Sequence, residues 1–262
     1  MSTLQLLPQH ADRIRDRISE LGLDDFCTPI LESACSAYGL IGVEQADSPE
    51  KGTTRFGGHP DLPAEFDTGE LNDFEFVYQV NCADLPEGES LGLPADGLLS
   101  VFSNSDPYDG GKTLFFQTSD LIRHHMPDPM PDYIFSDVKP WKLKIAHHVG
   151  FAGYGDELFD KIEDAGLSDE YEQLCCTEFS NVSGPCFGEI LGRFSELNGD
   201  MREEAAEACG GKPAEWRSLW KIFSSFQSGL VISDFHLLHG MIRKQDLQAL
   251  NFSRMFSTES ND

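Results

Sequence analysis

The stretch that begins at Thr54, TRFGGHPDLPAEF, sets the narrowest limits on what this chain can become. Adjacent Gly57 and Gly58 admit backbone angles closed to other residues, while Pro60 and Pro63 fix their own φ and push the preceding residue toward extended geometry. No helix runs through such a segment, so it must be a defined corner. Corners of this kind cradle phosphates, hold metals or simply turn the backbone. The glycine pair lacks the lysine and Ser/Thr of a phosphate-binding loop. The chain also carries 45 acids against 19 bases among 262 residues, a formal charge of −26. Such a surface repels phosphate backbones and anionic bilayers, which sets aside nucleic acid and membrane; simple solubility or salt adaptation is the first reading of the charge, and a basic protein is the natural electrostatic partner if there is one. Gly57, Gly58 and Pro60 are therefore read as a structural corner, with Gly192 in EILGRF as its counterpart.

Around the corner the pattern changes twice. Residues 1–50 are expected to form a helical extension. In it Ile14, Ile18 and Leu21 share one face up to Gly22, and a second helix capped by Thr28-Pro29 carries Ile30, Leu31, Ala34, Cys35 and Tyr38 as far as Gly39. Residues 51–262 are expected to form an α+β domain of mostly antiparallel sheet with peripheral helices. FEFVYQV (74–80) and Leu98–Phe102 read as strands joined through a Pro94–Gly97 turn. Residues 103–140 read as loop, and PDPMPD at 127–132 excludes regular structure there. Helices follow around Leu158–Ile162, after Ser168 and over Met201–Cys209, the last with Asp200 as cap. WRSLWKIF and LVISDFHLLHGMI then return to strand, and KQDLQAL to a short helix.

Two blocks within this domain rhyme. Val77–Val80 lies over Leu219–Ile222, Leu98–Val101 over Leu237–Gly240, and a glycine-bearing corner precedes each block. Similar order and similar spacing predict an internal duplication with halves near 53–150 and 186–257.

These residues also carry a family resemblance. FGGHPDLP, an aromatic strand ending at Gln79, the Asp84-Leu85-Pro86 step and LPADGLLSVF resemble the YwqG-like family of bacterial proteins of unknown function. ILGRFSELNGDMREE, EWRSLWKI and IRKQDLQALNFSRMF continue it to about residue 257. Asp234 is kept without the family's neighbouring Trp-Gly, and Lys221 stands where the family has glutamine. The resemblance implies an α+β, pseudo-duplicated fold without an established activity. Relatives in toxin–antitoxin-like settings imply an immunity or interaction role.

The side chains able to do chemistry are scattered. His59 sits in the corner, and His124-His125 with Asp128 and Asp132, as well as His147-His148, are expected in solvated loops. His236 and His239 fall on opposite faces of a strand. No nucleophile elbow occurs, and the seven cysteines form no C-x-x-C pair and read as reduced thiols; Cys175, Cys176 and Cys186 do not match a zinc pattern. Asp156, Glu157 and Asp160 lack the spacing of a calcium loop and read as exposed acids. No cofactor and no metal are expected. With no apolar run of ~20 residues and no leader pattern at the N-terminus, a cytoplasmic location is expected. The leading expectation is a non-enzymatic, protein-binding module with a strongly acidic surface, of unassigned oligomeric state. The alternative is a small-molecule-binding protein or hydrolase with a site between the sheet halves, lined by His59, Gln79, Asp234 and His236.

Overall fold

A computed structural model describes residues 6–86, 91–104, 110–117, 120–126, 139–153, 156–175, 184–194, 201–223 and 236–261. The fold is α+β with a mostly antiparallel sheet. Its strands are β1 (Cys35–Gln45), β2 (Arg55–Phe56), β3 (Asp61–Pro63), β4 (Phe74–Asn81), β5 (Leu98–Asn104), β6 (Gly111–Phe116), β7 (Leu121–Arg123), β8 (Trp141–Gly150), β9 (Cys186–Ile190), β10 (Trp216–Phe223), β11 (His236–Arg243) and β12 (Phe256–Asn261). Ten of them form one sheet in the order β12-β11-β10-β9-β1-β8-β2-β4-β5-β6, and β3 with β7 forms a separate small one. The helices are α1 (Pro8–Glu20), α2 (Cys27–Ser33), α3 (Glu157–Asp164), α4 (Ser168–Cys175), α5 (Met201–Cys209) and α6 (Lys244–Gln248). None of the described helices is long and apolar enough to cross a membrane.

The centre of the sheet is the antiparallel pair β1–β8. Outward from it β9 pairs with β1 and β2 pairs with β8. The C-terminal arm is therefore docked on a strand from the start of the chain, and the other arm on a strand from its middle. Each arm carries one irregular ladder. The β4–β5 ladder slips by one residue between Phe76 and Tyr78, and the β10–β11 ladder slips between Ser218 and Trp220. The sheet rolls until its edges meet. The Gly111 amide of β6 donates to Ser257 Oγ of β12, and Trp220 Nε1 donates to Thr113 Oγ1 at 2.9 Å. One apolar interior serves both arms, with Phe56, Tyr78, Val80 and Val101 packed in the same cluster as Ile190, Trp220, Ile222 and Leu238.

Smaller clusters cover the outside. Ile14, Ile18 and Ile30 of the first two helices pack with Leu158, Ile162, Tyr171 and Leu174 of α3 and α4. Met201 and Ala205 of α5 cover Trp216 and Met241, and Leu62 and Leu71 cover Phe76 and Phe102. Helix α1 is pinned to β1 at its start, where Ser36 Oγ accepts the Leu7 amide at 2.9 Å and meets His10 Nδ1 at 2.9 Å.

Several expectations need correction. The apolar stripe through Cys35 and Tyr38 does not continue a helix. Ala34 turns to extended geometry with ψ 144°, and Cys35–Gln45 becomes a central strand whose first eight residues are all buried. A continuous apolar run of this kind suits a strand buried on both faces as well as a helix. Residues 103–140 are not uniformly loop either, because β6 pairs back on β5 and β7 on β3. His147 and His148 lie in β8 rather than in a solvated loop. The PDPMPD segment and the Asp200 cap fall outside the described residues.

Packing between the arms leaves no room for side-chain growth at Gly240. A Cβ there would lie 2.1 Å from Cε2 of Trp220, the residue that reaches across the seam to Thr113. Gly240→Ala is expected to cost about 1–3 kcal/mol of unfolding free energy, as overpacking of a well-filled core does. Urea unfolding followed by tryptophan fluorescence measures it, and an unchanged midpoint would contradict the packing described.

Candidate functional site

Two buried polar clusters lie on the outer face of the sheet, one in each arm. In the first arm the corner turns at Gly57 and Gly58, both with positive φ (70° and 75°), and carries Asp61 back over β4. Asp61 is wholly buried and surrounded by donors. Arg55 Nη1 reaches its Oδ2 at 2.6 Å and Arg123 Nε its Oδ1 at 2.9 Å. The Gly52 amide and Gln79 Nε2 each donate to Oδ2 at 2.9 Å. Burial alone would raise this carboxyl, but the hydrogen bonds from Arg123 and the charge of Arg55 outweigh it and hold the pKa near about 2. Burial lowers Arg55 to about 10, with Asp61 pulling the other way, so the guanidinium stays charged at neutral pH.

His59 and Gln79, expected as ligand-binding residues, both belong to this network. Gln79 Oε1 accepts the Asp61 amide at 3.1 Å, and its Nε2 also donates to the Thr53 carbonyl at 2.9 Å. The His59 carbonyl accepts from Arg55 Nη2, and its ring packs edge-on against His125 at 4.6 Å. His124 Nε2 meets the Pro63 carbonyl at 3.1 Å. Asp234, Asp128 and Asp132 fall outside the described residues. His236 opens β11, on the opposite side of the β1–β8 pair from β4 in the sheet order.

In the second arm Glu189 of β9 faces Lys221 of β10, with Lys221 Nζ 2.5 Å from Oε1. Gly192 lies against them, and a Cβ at that position would displace the Glu189 carboxylate. His148 Nε2 stands 3.6 Å from Oε2, too far for a hydrogen bond. Burial lowers the His148 pKa although Glu189 opposes it. Next in the row is His239, paired across from Lys221 and fully buried, with neither ring nitrogen hydrogen-bonded. Burial first, then the Lys221 charge, lowers it to about 3, so the ring is neutral.

This arrangement does not assemble a nucleophile. Cys35, on the same face of β1 as Gly39 opposite Glu189, is pushed up to about 12 by burial with Glu189 adding to it. Burial likewise raises Cys82 to about 12 and Cys186 to about 11. Thiols held this far up are protonated and unreactive. Among the described residues no group of three His, Cys, Asp or Glu is placed to hold a metal ion. Asp156 instead caps α3 through the Leu158 amide and pairs with Arg193, while Glu157 pairs with Lys161.

Arg55, Asp61, Arg123, Glu189 and Lys221 were not among the expected site residues. For Glu189 and Lys221 the signal was a lone charge inside an apolar strand, FGEIL and LWKIF, which a covered sheet holds best as one of a pair. Residues 54–259 match the family described as a domain of unknown function, DUF1963. The chain belongs to the DUF1963 family. No curated protein matches it. The DUF1963 match opens at the corner and spans both polar clusters, yet leaves out β1, which lies inside the same sheet.

Two measurements test these clusters. Asp61→Asn leaves Arg55 buried without its counter-charge and is expected to lower stability by about 3–5 kcal/mol in chemical unfolding. The second concerns pH. His239 binds its proton more weakly folded than unfolded, so its contribution is complete above the unfolded value near 6.5 and declines as pH falls toward 3. Between pH 6.5 and 5 the wild type is expected to lose about 2 kcal/mol more than His239→Leu, from a limiting slope of ~1.4 kcal/mol per pH unit. Parallel pH profiles would contradict the neutral, buried assignment.

Proposed function

We propose that this DUF1963 protein is a YwqG-like, cytoplasmic, non-enzymatic binding module that docks a basic protein through an acidic outer face. The observation that carries the reading is where the cations are. Arg55, Arg123, Arg193, Lys221 and Arg243 are at most 21% exposed, and each is paired with Asp61, Asp156, Glu189 or Asp246. Removing these five bases and four acids leaves the rest of the chain at a formal −27. Helices α3 and α4 expose Glu157, Asp160, Glu163, Asp164, Asp169 and Glu172 against Lys161 alone. Such a face attracts a cationic surface at a distance and raises its rate of encounter.

The same reading takes the domain as two duplicated halves. In support, the strand order mirrors across β1–β8, with β2, β4, β5 and β6 answering β9, β10, β11 and β12. The ladder slips fall at Val77 and Leu219, and each of these carbonyls accepts a corner amide, from Gly57 at 2.7 Å and from Leu191 at 3.0 Å. Leu191 has a φ of 60°, beside 70° for Gly57. Arg55 opposite Gln79 corresponds to Glu189 opposite Lys221. For the alternative of a small-molecule site between the halves, only His59 and Gln79 of its four residues share a network among the described residues.

Titration calorimetry with a lysine-rich basic protein tests the docking reading. Reversing Asp160, Glu163 and Asp169 to lysine is expected to weaken binding by tenfold or more, about 1.4 kcal/mol per decade. The matched reversal of Glu203, Glu204 and Glu207 on α5 is expected to matter far less. Binding is expected to fade at high salt as the Debye length contracts. Equal effects of the two triple variants, or binding indifferent to salt, would sink the reading.

A further inference from the structure

Beside the first polar cluster, and independent of the face formed by α3 and α4, lies an open cleft of about 660 Å³. That size falls within the range of small-molecule sites. Its apolar lining residues are Leu98 at the start of β5 and Leu121 at the start of β7. Its rim carries Lys51, Asp96 and Gln117.

The walls are fixed before any ligand arrives. Gly52, at φ 73°, donates its amide to the buried Asp61 and accepts at its carbonyl from Asn81 Nδ2, both at 2.9 Å. The Asn81 amide is in turn held by Thr54 Oγ1, which donates to Asp84. Opposite, Gly97 at φ 108° leaves no space for a side chain, since a Cβ would lie 2.6 Å from the Phe115 ring, and its carbonyl accepts the Cys82 amide at 2.8 Å. A wall held by such bonds spares a ligand the entropy of ordering it.

The rim groups keep their capacity. No hydrogen bond or ion pair engages Asp96 or Gln117 among the described residues, and Lys51 Nζ makes only a long, exposed contact of 3.4 Å to the Leu121 carbonyl. The cleft thus offers one cation, one anion and one amide beside two leucines. A net anion would meet Asp96 and a chain of charge −26, and a net cation would meet Lys51. A molecule carrying both charges satisfies both groups, and charge-assisted hydrogen bonds are the stronger kind. We propose that this cleft binds a small zwitterion with a short apolar body, an amino acid or dipeptide, whose carboxylate meets Lys51 and whose ammonium meets Asp96.

An amide NMR titration of the full chain with glycyl-leucine tests this. Saturable shifts are expected at Gly52, Gly97 and Leu98 and not on the helices. N-acetyl-glycyl-leucine, which lacks the ammonium, and glycyl-leucinamide, which lacks the carboxylate, are each expected to bind about tenfold or more weaker, as are Asp96→Asn and Lys51→Met with the unblocked dipeptide. Both substitutions are at the rim, and unchanged resonances of β1 and β8 confirm an intact fold. No saturable shift at millimolar dipeptide, equal affinity for the blocked dipeptides, or variants that bind like wild type would overturn the proposal.

Discussion

The ladder between β1 and β8 is what makes one sheet out of two arms. Ten residues of β1 have partners on β8, the longest pairing among the described residues; β9 joins the outer side of β1 and β2 the outer side of β8. Long-range antiparallel pairing is entropically expensive to close and must be offset by burial. The apolar interior supplies that burial, because neither arm fills it alone. Trp220 from one arm and Thr113 from the other touch inside it.

With the inner face committed to this core, the buried charges of both clusters sit on the outer face and are compensated there. The two arms solve the problem with opposite signs at matching places. Arg55 finds Asp61 on the corner that passes over it, whereas Glu189 finds Lys221 on the neighbouring strand. Each solution takes a cation and an acid out of solvent together.

How much of this was legible in the sequence follows from which signals are local. Strands β4, β5 and β10 and helices α3 and α5 announced themselves through β-branched and aromatic runs, capping residues and terminating glycines. The central strands did not. Cys35–Gly42 is buried along its whole length and apolar apart from Ser36, so its periodicity cannot separate a helix from a strand buried on both sides, and only its partners decide. WKLKIAHHVG does alternate through Trp141, Leu143, Ile145 and His147, a period-two signal eclipsed by the proline-rich stretch before it. The site was less legible than the fold. Asp61 is one acid among 45 in sequence, and its distinction comes from Arg123, which folding brings to it from 62 positions away.

The crossing of β1 and β8 has a further consequence. A chain cut between β7 and β8 yields two pieces, and neither contains the strand on which its own arm is seated: the first lacks the partner of β2, the second the partner of β9. Each piece is a lock built around the other's key. The molecule is thus non-modular in spite of its symmetric strand order, and its two fragments are suited to reconstitution in trans.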